Sequence, residues 1–159
     1  MYQLFLGHSS ADAELARLIK ADVEATKKAT VYLAEDDVQP GADLVAKVKK
    51  ALLACDAIAV LVTRQSHNNI WVNQEIGFAL RDKPAIPLVE EGVDVSSFGM
   101  LTGVEHLSFD SASPQTAISN LNAFIAKQSF SKNAQMLGGL LFLVGVLVIL
   151  DRARDGGMS

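Results

Sequence analysis

Cysteine and tryptophan occur once each in the 159 residues, as Cys55 and Trp71, and proline occurs four times. One cysteine excludes an intramolecular disulfide framework and a cysteine-based metal centre, and it suits a reducing compartment. So few prolines, with no low-complexity tract, exclude a Pro-rich spacer. Basic clusters are also missing: Lys27-Lys28 and Lys49-Lys50 are only doublets, and the net charge is −4 with a pI near 5.3. That balance argues against a nucleic-acid-binding surface. No Gly-rich phosphate fingerprint occurs anywhere. The opening residues, MYQLFLGHSS, lack the basic n-region of a signal peptide, and their apolar run is only strand-length.

What is present points to a packed head with an appendage. Hydrophobic residues make up 50% against 20% charged, enough for a solid core. Near the other end, MLGGLLFLVGVLVIL, residues 136–150, is an uncharged run that reaches 17 residues when counted from Ala134. At helical rise such a run spans roughly 25 Å, near the lower limit for crossing a bilayer. It has no polar face to turn toward water, so a transmembrane helix is expected there rather than a buried one. The expected division is a head over 1–128, a linker over 129–135, a membrane helix over 136–150 and a polar tail over 151–159. Lys127 and Lys132 on one flank balance Arg152 and Arg154 on the other, so charge does not orient the span. The missing leader favours a cytoplasmic head. Ala134 and Gly138 form one small-xxx-small pair, a faint signal for helix association.

Within the head, five short apolar runs alternate with helical patterns. The runs are 3–7, 30–35, 57–63, 85–89 and 104–109, and those at AIAVLV and AIPLV are apolar throughout, as strands covered on both faces should be. Ser9-Ser10-Ala11-Asp12 reads as a Ser N-cap with an acid at N3, opening a helix to about Lys28. Leu15, Leu18, Ile19 and Val23 are its expected inner face. Leu44, Val45, Val48 and Leu52 play that part in the second helix, and Ala117, Ile118, Leu121, Phe124 and Ile125 in the last. Such alternation predicts an α/β fold, a flavodoxin-like three-layer sandwich with a five-stranded parallel sheet.

Ligands of such sheets sit beyond the carboxyl ends of the strands, where strand order reverses. The first expected strand exits into Gly7-His8-Ser9-Ser10, the second into Glu35-Asp36-Asp37, the third into Thr63-Arg64. A phosphoacceptor receiver needs an acidic Mg²⁺ cluster across the first and third exits, and these offer Gly-His-Ser and Thr-Arg. A flavodoxin needs a richer phosphate loop than Ser9-Ser10. No metal site is expected.

Four segments carry a family resemblance. LFLGHSSAD resembles the first motif of TIR domains, and AEDDVQPGADL resembles their BB loop, with a Pro-Gly turn before the next helix. WVNQEIGFAL is similar to the tryptophan-to-glutamate motif of TIR domains that cleave NAD⁺, and KPAIPLVEEGV resembles the strand that follows. The four stand in the family's order and spacing over residues 3–128. The resemblance implies cleavage of the nicotinamide–ribose bond, with Glu75 as the catalytic residue and NAD⁺ as substrate rather than cofactor. It also implies that His8, Ser9 and Ser10 border the nucleotide and that neighbouring TIR domains complete the site, hence homo-oligomers. One departure stands out. Some NAD⁺-cleaving relatives carry an aromatic shortly after the loop glycine, whereas Ala42-Asp43-Leu44 follows Gly41 here.

Elementary chemistry gives these residues work. Cleaving an N-glycosidic bond to a cationic leaving group needs no acid on the leaving group, but it builds oxocarbenium character on the ribose. One carboxylate can stabilise that charge. Trp71 and Glu75 are i and i+4, on one helix face, so the indole can pack beside the sugar. The bland alternatives are a Glu serving the helix dipole and a Trp serving the core. Gly41, after Pro40, fits the positive-φ position of a type II turn. Asp36, with Asp37, reads as a loop acid near the pocket, and Arg64 as a cation that can meet a phosphate. Two classes of function follow: a membrane-tethered NAD⁺ glycohydrolase or ADP-ribosyl cyclase in cell defence or signalling, or a non-catalytic TIR adaptor. A nucleoside deoxyribosyltransferase-like enzyme is a third.

Overall fold

The computed structural model describes residues 1–37, 40–66, 83–97 and 103–132. Five parallel strands form one sheet in the order β2-β1-β3-β4-β5: β1 is Tyr2–Gly7, β2 Ala29–Tyr32, β3 Ala57–Val62, β4 Ala85–Glu90 and β5 Leu107–Phe109. The order reverses between β1 and β3, the flavodoxin-like arrangement the alternation predicts.

Period-two alternation along the strands explains the two cores. Leu4 and Leu6 of β1, Ala57, Ala59 and Leu61 of β3, and Ile86 and Leu88 of β4 face one side. There they meet helix α1, Ala13–Ala25, and a helix over 115–132, here α3. Phe5, Ile58, Val60, Val62 and Val89 face the other side, under helix α2, Leu44–Ala54. Every residue of β3 is buried, as a central strand covered on both faces requires. Pro87 stands opposite Val60, and β5 pairs with β4 only from Leu88 onward. The proline thus sits where the ladder is continued on one side only, a position that tolerates a missing N–H.

Several expectations are corrected. Helix α1 stops at Ala25, and the turn to β2 passes through Lys27 at φ 56°. Its buried face is Ala16, Ile19 and Val23, whereas Leu18 is exposed. In α2 only Val48 and Leu52 are buried, and Leu44 and Val45 stand in solvent. The apolar stripe read from sequence was wider than the contact each helix makes. Strand β2 ends at Tyr32, and its expected last residues form a 3₁₀ turn over Ala34–Asp36. Residues 129–132, expected in a linker, continue α3. Among the described residues no helix is long and apolar enough to cross a membrane, and the run at 136–150 lies outside them.

Candidate functional site

The switch point of the strand order lies beyond the carboxyl ends of β1 and β3, and the two exits there are joined by hydrogen bonds. Ser9 occupies the N-cap position of a 3₁₀ turn, Ser10–Asp12, that leads into α1. Its hydroxyl caps no backbone N–H but donates to Asp12 Oδ2 at 2.6 Å. Thr63, just past β3, donates its hydroxyl to Asp12 Oδ1 at 2.8 Å. Ser66 closes the turn: its Oγ accepts from the Thr63 backbone N–H at 2.8 Å, and its own N–H donates to the Thr63 carbonyl at 3.1 Å. Ser9, Asp12, Thr63 and Ser66 are all buried. A buried carboxylate is tolerated when hydrogen-bonded, and Asp12 receives one bond on each oxygen. Sequence reading assigned Asp12 to a capping box and gave Thr63 and Ser66 no part. The usable signal was the repeated three-residue spacing of Ser9 with Asp12 and Thr63 with Ser66, which side-chain-to-backbone turns favour.

The exit of β2 is drawn to the same place by charge. The His8 side chain, 7% exposed, donates from Nδ1 to the Ser9 carbonyl at 2.8 Å and holds Nε2 4.0 Å from Glu35 Oε2. Glu35 Oε1 lies 2.8 Å from Arg17 of α1, an ion pair lacking hydrogen-bond alignment. Asp36 pairs with Lys20 of α1 at 2.6 Å, and Asp37 with Lys47 of α2 at 3.1 Å. The Tyr32 hydroxyl donates to Asp37, and burial first, then that bond and charge, raises its pKa. Among the described residues each of the three acids therefore has a helix cation beside it. Asp36 turns toward α1 and is engaged by Lys20 there.

The remaining expected residues are placed as follows. Gly41 has φ +81° in an exposed turn, in keeping with the type II geometry that favours glycine. Ser10 is exposed at the start of the 3₁₀ turn. Asp43 caps α2, accepting from the N–H groups of Val45 and Ala46. Arg64 swings toward the exit of β4: its Nη2 donates to the Glu91 carbonyl at 2.8 Å, its Nε lies 3.8 Å from Glu90, and its backbone N–H donates to Glu90 Oε2. It is thus held to β4 rather than gathered with His8 and Ser9. Trp71 and Glu75 lie outside the described residues. Among the described residues no group of three His, Cys, Asp or Glu side chains is arranged to hold a metal ion.

Comparison with known proteins bears on this arrangement. No curated protein matches the chain. Among solved structures, a metazoan TIR-STING receptor from C. gigas, in complex with 2′,3′-cGAMP, superposes with a TM-score of 0.67 at 21% identity. The match covers 79% of this chain and 39% of the receptor, so the chain spans about two fifths of that protein's length and the likeness shows the fold. An NADH:FMN oxidoreductase (EMOB) in its apo form matches at a TM-score of 0.48 and 19% identity, over 82% of this chain and 90% of that one. That likeness is too low to argue from. A family model described as TIR domain matches residues 4–121, which takes in β2 to β5, most of β1 and the joined exits of β1 and β3. The chain belongs to the TIR domain family.

Proposed function

We propose that this TIR domain cleaves NAD⁺ at the nicotinamide–ribose bond, with Glu75 as the catalytic residue, while residues 136–150 tether it to a membrane. The observation that carries the reading is the junction at Ser66. The exit of β3 is fastened to that of β1 at the switch point, and the chain leaving it carries Trp71 and Glu75 five and nine residues later. That supports a carboxylate and an indole delivered to the crevice where ligands of such sheets bind.

The chemistry needs little more. Nicotinamide leaves with the bonding electron pair and becomes neutral, so no proton is required on it. The ionised Glu75 stabilises the oxocarbenium charge left on the ribose. Water then bonds to the anomeric carbon and releases a proton, giving ADP-ribose; attack by a nucleophile of the same molecule gives a cyclic isomer. Trp71 excludes water from one side of the sugar and lowers the dielectric felt by the carboxylate.

The test uses the full chain in liposomes with NAD⁺, beside Glu75→Gln. Nicotinamide release should fall about 10²-fold or more in the variant. Equal release by both would remove Glu75 from the mechanism. Absence of release at high surface density in both would favour a non-catalytic adaptor.

A further inference from the structure

The end of the molecule opposite the crevice has a surface of its own. All five strands begin there, and α1 and α2 end there, because each returns the chain to the start of a parallel strand. Three of the most exposed large apolar side chains lie at this end: Met1 at 72%, Leu53 at 76% and Phe130 at 78%. Lysines surround them. Lys27 and Lys28 line a shallow hollow of about 290 Å³ with Met1, Ser129 and Lys132. Lys132 pairs with Asp56 at 2.8 Å, and Lys83 donates to the Leu53 carbonyl at 2.7 Å and to that of Cys55. Among the described residues, no carboxylate pairs with Lys27 or Lys28. Asp56 and the exposed Glu105 stand beside the bases of β3 and β5, and Asp22 and Glu24 belong to this end too, held by Asn122 at 2.7 Å and by the Val31 N–H at 2.8 Å.

A chain of net charge −4 thus keeps lysines around exposed apolar groups at one end and most of its acids at the other, among them Glu35, Asp36, Asp37, Asp43, Glu90, Glu91 and Asp94. Apolar side chains set among lysines are the composition that seats in an anionic lipid interface. The chain also leaves the described structure at this end, at Lys132, two residues before the uncharged run 134–150.

We propose that this end of the head lies on an anionic bilayer surface, with Leu53, Met1 and Phe130 entering the headgroup region and Lys27 and Lys28 meeting lipid phosphates and carboxylates. The inference rests on the reading of 136–150 as a membrane span. It adds an orientation: the crevice at the far end of the sheet faces away from the bilayer, open to soluble nucleotide and to neighbouring heads.

The test compares the two ends of α2. Leu53→Cys and Leu44→Cys place a dye at positions separated by about 14 Å of helix rise. Buried Cys55 is left in place, and the chain without an introduced cysteine gives the labelling background. Each full chain is reconstituted into vesicles of phosphatidylcholine with or without phosphatidylserine, doped with a headgroup nitroxide lipid. With phosphatidylserine, the dye at position 53 should be quenched and that at 44 should not. Adding Lys27→Gln with Lys28→Gln should lower the docked-to-undocked ratio about 30-fold, roughly fivefold per lysine. A chain that fails to float with vesicles would refute the membrane span itself. A chain that floats with both positions quenched alike would overturn the docking and leave the span standing. Quenching at 53 that ignores both phosphatidylserine and the lysine changes would overturn recognition by charge.

Discussion

Asp12 joins two strand exits that lie 51 residues apart in sequence, counting from Asp12 to Thr63. Replacing it with alanine takes an acceptor from each of the buried hydroxyls of Ser9 and Thr63, of which Thr63 keeps a contact with Ser66 Oγ at 3.2 Å. The expected cost is about 3 kcal/mol, read as a lower denaturant midpoint at unchanged slope. Thr63→Val removes the bond to Asp12 together with the contacts of Oγ1 to Ser66 Oγ and to the N–H groups of Gln65 and Ser66, so it should cost a comparable amount. Because both changes act on one network, the double variant should lose less than the sum, and strict additivity would show that the bonds do not work together. Cys55 gives a simpler check. Burial above all pushes its thiol pKa up, outweighing the lowering effect of Lys83, and the side chain is inside the core. It should resist alkylation in the native chain and react once the chain unfolds. Sequence could nominate Gly41, since a Pro-Gly turn announces itself locally, and His8 and Ser9 through the family resemblance. It could not pair Asp12 with Thr63, because only the strand order brings those two segments side by side.

At the level of whole elements, α3 is held to the base of the sheet by Lys132, whose ammonium group donates to both oxygens of Asp56 at 2.8 and 2.9 Å. Burial raises the Asp56 pKa, yet the bonds from Lys132 and the Gln3 N–H and the charges of Lys132 and Lys83 outweigh it, leaving the carboxyl below its ordinary value. A carboxyl with a depressed folded pKa contributes stability that is full above its unfolded pKa and fades as pH falls through the folded one. The loss should therefore begin below about pH 4. Asp56→Asn should cost about 1 kcal/mol at neutral pH, after allowance for partial exposure, and should flatten the acid limb of the stability curve below that pH. An unchanged acid limb would place the titrating groups elsewhere. The strands were legible because AIAVLV of β3 and AIPLV of β4 are apolar runs of strand length, as strands covered on both faces are. Helix faces were less so. Leu18, Leu44 and Val45 fit the helical stripe by spacing, but a stripe says which residues share a face and not how much of it the sheet covers. The pairing of Asp36 with Lys20 escaped for a related reason, since partners 16 residues apart meet only once α1 has folded back along β2.

The molecule as a whole is polar end to end. Lysines and exposed apolar groups mark the base, and the candidate site and most acids mark the top, where Leu44 and Val45 stand exposed beside the Pro40-Gly41 turn. If neighbouring heads complete the site, those two side chains are, among the described residues, exposed apolar surface at this end that a second copy can cover. The proposed tether would confine the heads to two dimensions and raise their effective concentration without any new contact. Rate per molecule should then depend on surface density. At fixed protein, a tenfold excess of vesicle lipid dilutes the heads, and specific nicotinamide release should fall about tenfold when two heads form one site. Leu44→Ser should deepen that dependence and be rescued by crowding the surface, whereas Glu75→Gln should be inactive at every density. A specific rate that ignores lipid dilution would mean that one chain carries a complete site, and it would remove any catalytic part for the exposed apolar pair.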